Sequence, residues 1–343
     1  MAPFIRLTAV ALLFAFGLGP AAAAGEVKWW ILGAAVPAGI KSVFLDGRQA
    51  VVTDLKGRRF ALTTKGGKLT LNPAAPNPSS AGNRPPGILP DGVVASGQKN
   101  IRAAWLTGAT GRYDHGVLGD AIEAQGVAVE LSDGRRLELV LDEDSVFEDR
   151  LARIADVDGD GDDEVLAVLS YLDAGAALAI IKPGSDGLRI VAETSPIGIP
   201  NRWLNPIGVA DFDADGRPEV ALVTTPHIGG ILKIYAFDGG DLKLEGTSRG
   251  YSNHSMGERE LGKAAIVDAN RDGTPDLALP GAWQRMLRVV TFKGGRFAEL
   301  ARIGHDGESI VTAIVAADVD GDGRQEIVYG LSDGRIVAVH FIP

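Results

Sequence analysis

Four nine-residue stretches hold the residues best able to do chemistry: DVDGDGDDE (156–164), DFDADGRPE (211–219), DANRDGTPD (268–276) and DVDGDGRQE (318–326). Each has a carboxylate at position 1, Asp or Asn at 3, Asp at 5, Gly at 6 and a carboxylate at 9. A hard dication such as Ca²⁺ gathers roughly six to eight oxygens, so short acidic side chains at alternate positions of a tight loop suit it. Gly at position 6 lets the backbone turn back. On this reading the first loop binds through Asp156, Asp158, Asp160, the Asp162 carbonyl and Glu164. The second uses Asp211, Asp213, Asp215, the Arg217 carbonyl and Glu219, and the fourth uses Asp318, Asp320, Asp322, the Arg324 carbonyl and Glu326. The third uses Asp268, Asn270, Asp272, the Thr274 carbonyl and Asp276; it is one charge short and is expected to be the weakest. About four structural Ca²⁺ per chain are expected, because carboxylates crowded into one turn repel unless neutralised. No open coordination position beside an acid or base suggests metal-assisted hydrolysis.

The flanking elements decide what kind of calcium loop this is. An EF-hand needs a bidentate Glu at position 12 and helices on both sides. Position 12 here is Ala167, Leu222, Leu279 and Tyr329. The flanks are short Val/Ile/Leu/Ala runs, such as EVLAVLS after the first loop and KAAIV before the third, which read as strands. The loops begin at 156, 211, 268 and 318. A repeat of about 50–57 residues with four strands per unit predicts an all-β chain, a β-propeller of four-stranded blades. The motif D-x-[DN]-x-D-G-x-x-[DE], present four times, resembles the FG-GAP or VCBS repeats of integrin α propellers and bacterial exported proteins. The likeness covers 148–343 well and 26–147 by extension. It implies a propeller with bound calcium and no single activity, since such propellers serve as adhesion modules, lectins and enzyme domains.

The remaining chain is organised around those blades. Gly is 45 of 343 residues, well above the usual share, which fits many tight turns. Cys is zero, so disulfides and thiol chemistry are excluded. The net charge of −10 sits largely in the loops and argues against nucleic acid, which selects a basic face. Residues 1–24 read as a signal peptide, with Arg6, an apolar stretch at 7–19 and AAAA at 21–24. An exported protein is expected, periplasmic if the source is Gram-negative and otherwise secreted, with no stable membrane insertion. Residues 25–343 read as one propeller domain: degenerate blades in 26–147, a Pro-rich loop at 73–98, and calcium-loop blades in 148–343. In 100–147 the segment ATGRYDHGVLGD (109–120) is expected to replace the calcium loop. Trp29 and Trp30 read as packing residues. The last repeat has room for three strands, so VKWWILG near the N-terminus is expected to close the ring. This gives six blades, or seven if 26–98 holds more strand.

Strand order sets a second face. Calcium loops join the first and second strands of each blade, so the turns between second and third strands and the crossings between blades lie opposite. That opposite face collects Arg150, Tyr171, Arg202, Trp203, His227, Asn253, His254, Trp283, Arg285 and His305 as candidate ligand residues. A non-catalytic, monomeric binding module for a glycan or protein partner is the favoured reading. The alternative is an envelope hydrolase or lyase with its site on the axis of that face. No catalytic residue is assigned. GTSRG (246–250) matches G-x-S-x-G but lacks a following helical pattern. The His residues show no zinc spacing, and His340 reads as packed or edge-facing.

Overall fold

A computed structural model of the protein describes residues 28–76, 84–342; the expected signal segment, 1–24, lies outside them. Among the described residues the regular elements are strands, apart from one 3₁₀ turn at Ala282–Gln284. β1 is Lys28–Ala35. The first four-stranded sheet is β2 (Ile40–Asp46), β3 (Gln49–Asp54), β4 (Arg59–Lys65) and β5 (Lys68–Pro73). Next come β6 (Ala95–Ser96), β7 (Ile101–Thr110), β8 (Glu123–Leu131) and β9 (Arg136–Val140), then β10 (Ser145–Phe147). They are followed by β11 (Arg153–Ala155), β12 (Glu164–Tyr171), β13 (Gly175–Pro183) and β14 (Leu188–Glu193). β10 pairs with both β8 and β12 and fuses these groups into one nine-stranded sheet, so the blade count depends on dividing the sheet there. Two further four-stranded sheets are β15 (Leu204–Ala210), β16 (Glu219–Thr224), β17 (Ile231–Asp238), β18 (Asp241–Arg249) and β19 (Ala265–Val267), β20 (Asp276–Pro280), β21 (Met286–Lys293), β22 (Arg296–Gly304). The last is β23 (Val315–Ala317), β24 (Glu326–Gly330) and β25 (Arg335–Ile342), completed by β1.

The chain is a β-propeller. β1 pairs with β25 antiparallel along its whole length, from Lys28 opposite Ile342 to Ala35 opposite Arg335, so the N-terminal segment completes the last blade as expected. The second strands β12, β16, β20 and β24 are buried on both faces, which is why they read as unbroken apolar runs. The outermost strands β9 and β18 are largely exposed or half-buried. The core lies between blades: one cluster joins β19–β22 to β23–β25, another joins β12 and β13 to β15–β17, and others repeat the pattern.

Three expectations need correction. Trp29 and Trp30 are not packed between blades; β1 is the outer strand of its sheet, so their side chains stay 37% and 43% exposed. The 109–120 segment does not stand where a calcium loop would. The first strand of its group is the two-residue β6, joined to β7 by residues 97–100, so 109–120 connects the second and third strands on the opposite face. A two-residue strand leaves no periodicity to read. The Pro-rich 73–98 stretch includes β6 and is held by Ile88 bridging Thr107 and Val93 bridging Leu151; residues 77–83 of it lie outside the described residues.

Candidate metal centres and the opposite face

The four acidic loops join β11 to β12, β15 to β16, β19 to β20 and β23 to β24, and so share one face. They also share one hydrogen-bond frame. The position 6 amide donates to the position 1 carboxylate: Gly161 to Asp156 at 3.0 Å, Gly216 to Asp211 at 3.0 Å, Gly273 to Asp268 at 3.0 Å, and Gly323 to Asp318 at 2.9 Å. The position 5 amide donates to position 3, at 3.1 Å in the first, second and fourth loops and 2.9 Å to Asn270. The position 7 amides of Asp162, Arg217, Thr274 and Arg324 donate to the position 5 carboxylate. The buried position 9 carboxylate takes the position 2 amide with one oxygen: Glu164 from Val157, Glu219 from Phe212, Asp276 from Ala269, Glu326 from Val319. The side chains at positions 1, 3, 5 and 9 are thus each fixed by a backbone donor. Position 2 is also an anchor, since Val157, Phe212, Ala269 and Val319 are buried. An apolar residue between two acidic ones was the sequence signal for it.

The donor set fits a hard dication. Asp276 Oδ1 is buried and accepts no hydrogen bond, while Glu164 Oε1 is buried with only the Lys182 ammonium, 3.1 Å away, facing it. In the second loop Asp211, Asp213, Asp215 and Glu219 bring oxygens within 4.8 Å of one another, as do Asp156, Asp158 and Glu164 in the first and Asp318, Asp320 and Asp322 in the fourth. Burial, with the other loop carboxylates, pushes Glu219 and Glu326 up to about 7; burial pushes Asp276 up to about 6. A bound cation would counter that effect by favouring the ionised form.

The loops differ in what the next strand brings level with position 9. The registers Val165–Ile181, Glu219–Ala236, Leu277–Val290 and Ile327–Val339 place Lys182, Ala236, Thr291 and His340 there. Lys182 Nζ lies 2.8 Å from Asp158, 2.7 Å from Asp160 and 3.1 Å from Glu164, within the first loop's oxygen cage. Burial opposes its charge, but these carboxylates hold the ammonium above the usual lysine range. Lys99 reaches Asp156 at 2.8 Å, and Lys293 reaches Asp272 at 2.5 Å. Charge count alone therefore does not rank the loops. His340, read from sequence as packed or edge-facing, is buried with Nδ1 3.3 Å from Glu326 and 3.5 Å from Asp320.

The opposite face separates the remaining candidates. Trp283 and Arg285 are exposed, on the turn between β20 and β21. Arg150, Tyr171, Arg202 and His227 are half-buried. Arg150 holds Asp91 at 2.6 Å and the Arg259 carbonyl at 2.8 Å; Tyr171 donates to Glu193 at 2.8 Å; Arg202 donates to the Asn201 carbonyl at 3.0 Å. Trp203, Asn253, His254 and His305 are buried and are not rim contacts. Trp203 Nε1 donates to the Glu148 carbonyl at 2.9 Å, and its ring packs on both His227 and His254. His227 Nε2 and His254 Nδ1 are 2.8 Å apart, His254 Nε2 lies 2.9 Å from the Glu258 carbonyl, and His305 Nε2 lies 3.0 Å from Tyr329. His254 Nε2 can only donate to the carbonyl; burial disfavours charging either ring, and in the neutral pair His254 Nδ1 accepts from His227 Nε2. Asn253, within an Asn-His-Ser sequon, is fully buried.

Two features here escaped the sequence. Exposed Ile122, Ile199, Ile228, Met256 and Val311 lie in connections of this face, where no periodic strand pattern marks them. Asn201, Thr225, Trp283, Gln284 and Asp306 have φ between 48° and 68°, a conformation that costs non-glycine residues energy and clusters at functional loops. The 109–120 segment belongs here too: Tyr113 Oη accepts from the Asn201 amide at 2.7 Å, and the Gly257 amide donates to the Val117 carbonyl at 2.9 Å. His115 and Ser170 both bond the buried Glu148, so the carboxylate, not the imidazole, is central, the wrong order for activating a serine. GTSRG runs along β18 into an irregular crossing and forms no nucleophile elbow.

The FG-GAP-like repeat family matches residues 156–222 and 268–329, which contain all four acidic loops. A comparison with curated proteins gave no match. Among solved structures, the chain is similar to the β-propeller domain of Cps50 (Swd1) from Myceliophteria thermophila, at 12% identity and a TM-score of 0.41, covering 89% of this chain and 84% of that one. The propeller assignment rests on the strand pairings and the repeat match.

Proposed function

From a β-propeller that carries FG-GAP-like repeats, we propose an exported binding module braced by calcium, with its partner surface opposite the calcium loops. The observation that carries this reading is Trp283: 85% exposed, held at φ 68° in a turn, and accompanied on that face by exposed Ile228 and Met256. An outward aromatic in a strained conformation contributes nothing to the core, and such residues commonly anchor a sugar ring or an apolar side chain. Calcium fits the loops because their buried position 9 carboxylates and fixed oxygen cages would be stabilised by a dication. Its role is to hold each turn closed; the recognition chemistry belongs to the other face. A glycan is the first partner class to test, with a protein as the second. Wild type and Trp283→Ala, matched for melting temperature, would be screened on immobilised glycans and on purified cell-envelope proteins. The expected result is saturable retention of one ligand class that weakens at least tenfold in the variant. Binding that survives Trp283→Ala but is lost on Asp213→Asn would move the partner site to the calcium face and overturn the reading.

A further inference from the structure

The fourth loop differs from the others in one donor. His340 on β25 is 3% exposed, and neither ring nitrogen makes a hydrogen bond: Nε2 has no partner, while Nδ1 faces Glu326 Oε1 and Asp320 Oδ2 at 3.3 and 3.5 Å. The support for a cation is Nδ1, a buried ring nitrogen aimed between two carboxylate oxygens without a hydrogen bond to either. The separations match adjoining ligands of a shared four-coordinate cation at roughly 2.1 Å, which stand about 3.4 Å apart. Trp30 stacks on the His340 ring with centroids 4.8 Å apart and planes 2° from parallel, fixing the imidazole's orientation. Both line an open cleft of about 400 Å³ between the third and fourth loops, giving an ion a route from solvent.

We propose that the fourth loop is a mixed nitrogen–oxygen site for a transition-metal dication of the Zn²⁺ or Ni²⁺ class, held by Asp320, Glu326 and His340. Imidazole suits borderline metals, whereas calcium takes oxygen ligands, so one histidine changes what the loop selects. The first three loops keep oxygen as their only ligand-bearing side-chain atom. Nothing in their cross-strand positions offers a lone-pair nitrogen: Lys182 is an ammonium, Ala236 has no donor atom, and Thr291 has a hydroxyl. The inference rests on the loops being cation sites but not on the partner face.

The Trp30–His340 stack supplies a local signal. Tag-free, full-chain protein in Ca²⁺ buffer is titrated with Ni²⁺ while tryptophan fluorescence and heat are recorded. The expected result is saturable quenching at one Ni²⁺ per chain, lost in Trp30→Phe, with Ni²⁺ affinity at least tenfold weaker in His340→Gln and in Asp320→Asn. Asp320 is exposed at the loop tip, so Asp320→Asn tests the site if the buried His340→Gln variant misfolds. Zn²⁺ should displace Ni²⁺, and Ca²⁺ at the same concentration should not. Unchanged Ni²⁺ affinity in both variants, or displacement by equimolar Ca²⁺, would overturn the proposal. Calcium-dependent melting is read in the same samples; its loss would count against the calcium reading alone.

Discussion

Position 4 of each loop carries a left-handed backbone whatever the residue: φ is 73° at Gly159, 63° at Ala214, 60° at Arg271 and 81° at Gly321. For Ala and Arg that conformation costs about 1–2 kcal/mol, partly offset because glycine loses more freedom on folding. Ala214→Gly and Arg271→Gly should each raise the melting midpoint of metal-saturated protein by about 1–2 °C, read by calorimetry; a fall would show that the side chain contributes more than the strain costs. Gly at position 6 was legible because all four loops share it. Gly, Ala, Arg and Gly at position 4 have no common side chain, and only the backbone reveals their common role. The histidine pair gives a second prediction at this scale. Burial holds His227 and His254 down to about 4, against about 6.5 in an unfolded chain. Between those values the unfolded state binds more protons, so the pair's contribution is complete above about pH 6.5 and is lost as pH falls toward 4. The melting midpoint of wild type should therefore drop more steeply between pH 7 and 5 than that of a His227→Gln/His254→Gln variant. Parallel profiles would mean the pair does not titrate on unfolding. No spacing rule pairs residues 227 and 254; they meet because a turn of one sheet faces the crossing to the next.

Among the elements, β1 does the most for its length. Its eight residues cover the edge of β25, and its Ile31 packs on the core shared by the last two blades. Without it, β25 would present unpaired amides and carbonyls along a strand whose interior is buried and apolar. Deleting residues 28–35 should give a protein that self-associates, seen as higher species by size-exclusion chromatography with light scattering. A monodisperse product with an unchanged melt would show that closure is not required. This pairing was readable from arithmetic, because the last repeat lacks a strand and the N-terminus has one spare. The β6–β9 group was not, since its first strand is two residues long and its loop 109–120 resembles a replaced metal turn only when the strand order is unknown.

For the whole molecule, the proposed metal sites would couple charge to fold. The chain carries −10, and four bound dications would bring it close to neutral. At a free concentration one hundred times the dissociation constant, each site would stabilise the folded state by about 2.7 kcal/mol. Chelation should lower the melting midpoint by on the order of ten degrees, and restoring divalent cations should recover it with about four ions per chain by metal analysis, calcium in the first three loops; the −10 chain offers strong like-charge repulsion for those ions to relieve. An unmoved melt with no bound metal would reduce the loops to ordinary Asp-Gly turns. Four spaced repeats of acidic residues and buried strands determined the architecture, because loop chemistry and strand period are local and both are written in consecutive residues. The tertiary structure alone decided which side chains from other strands enter those loops. Lys182 in the first and His340 in the fourth arrive through cross-strand register, a relation between residues 18 and 14 positions from the closing carboxylates Glu164 and Glu326. It alone also divided the opposite face into buried struts such as Trp203 and outward residues such as Trp283, since exposure depends on how neighbouring blades pack and not on residue type.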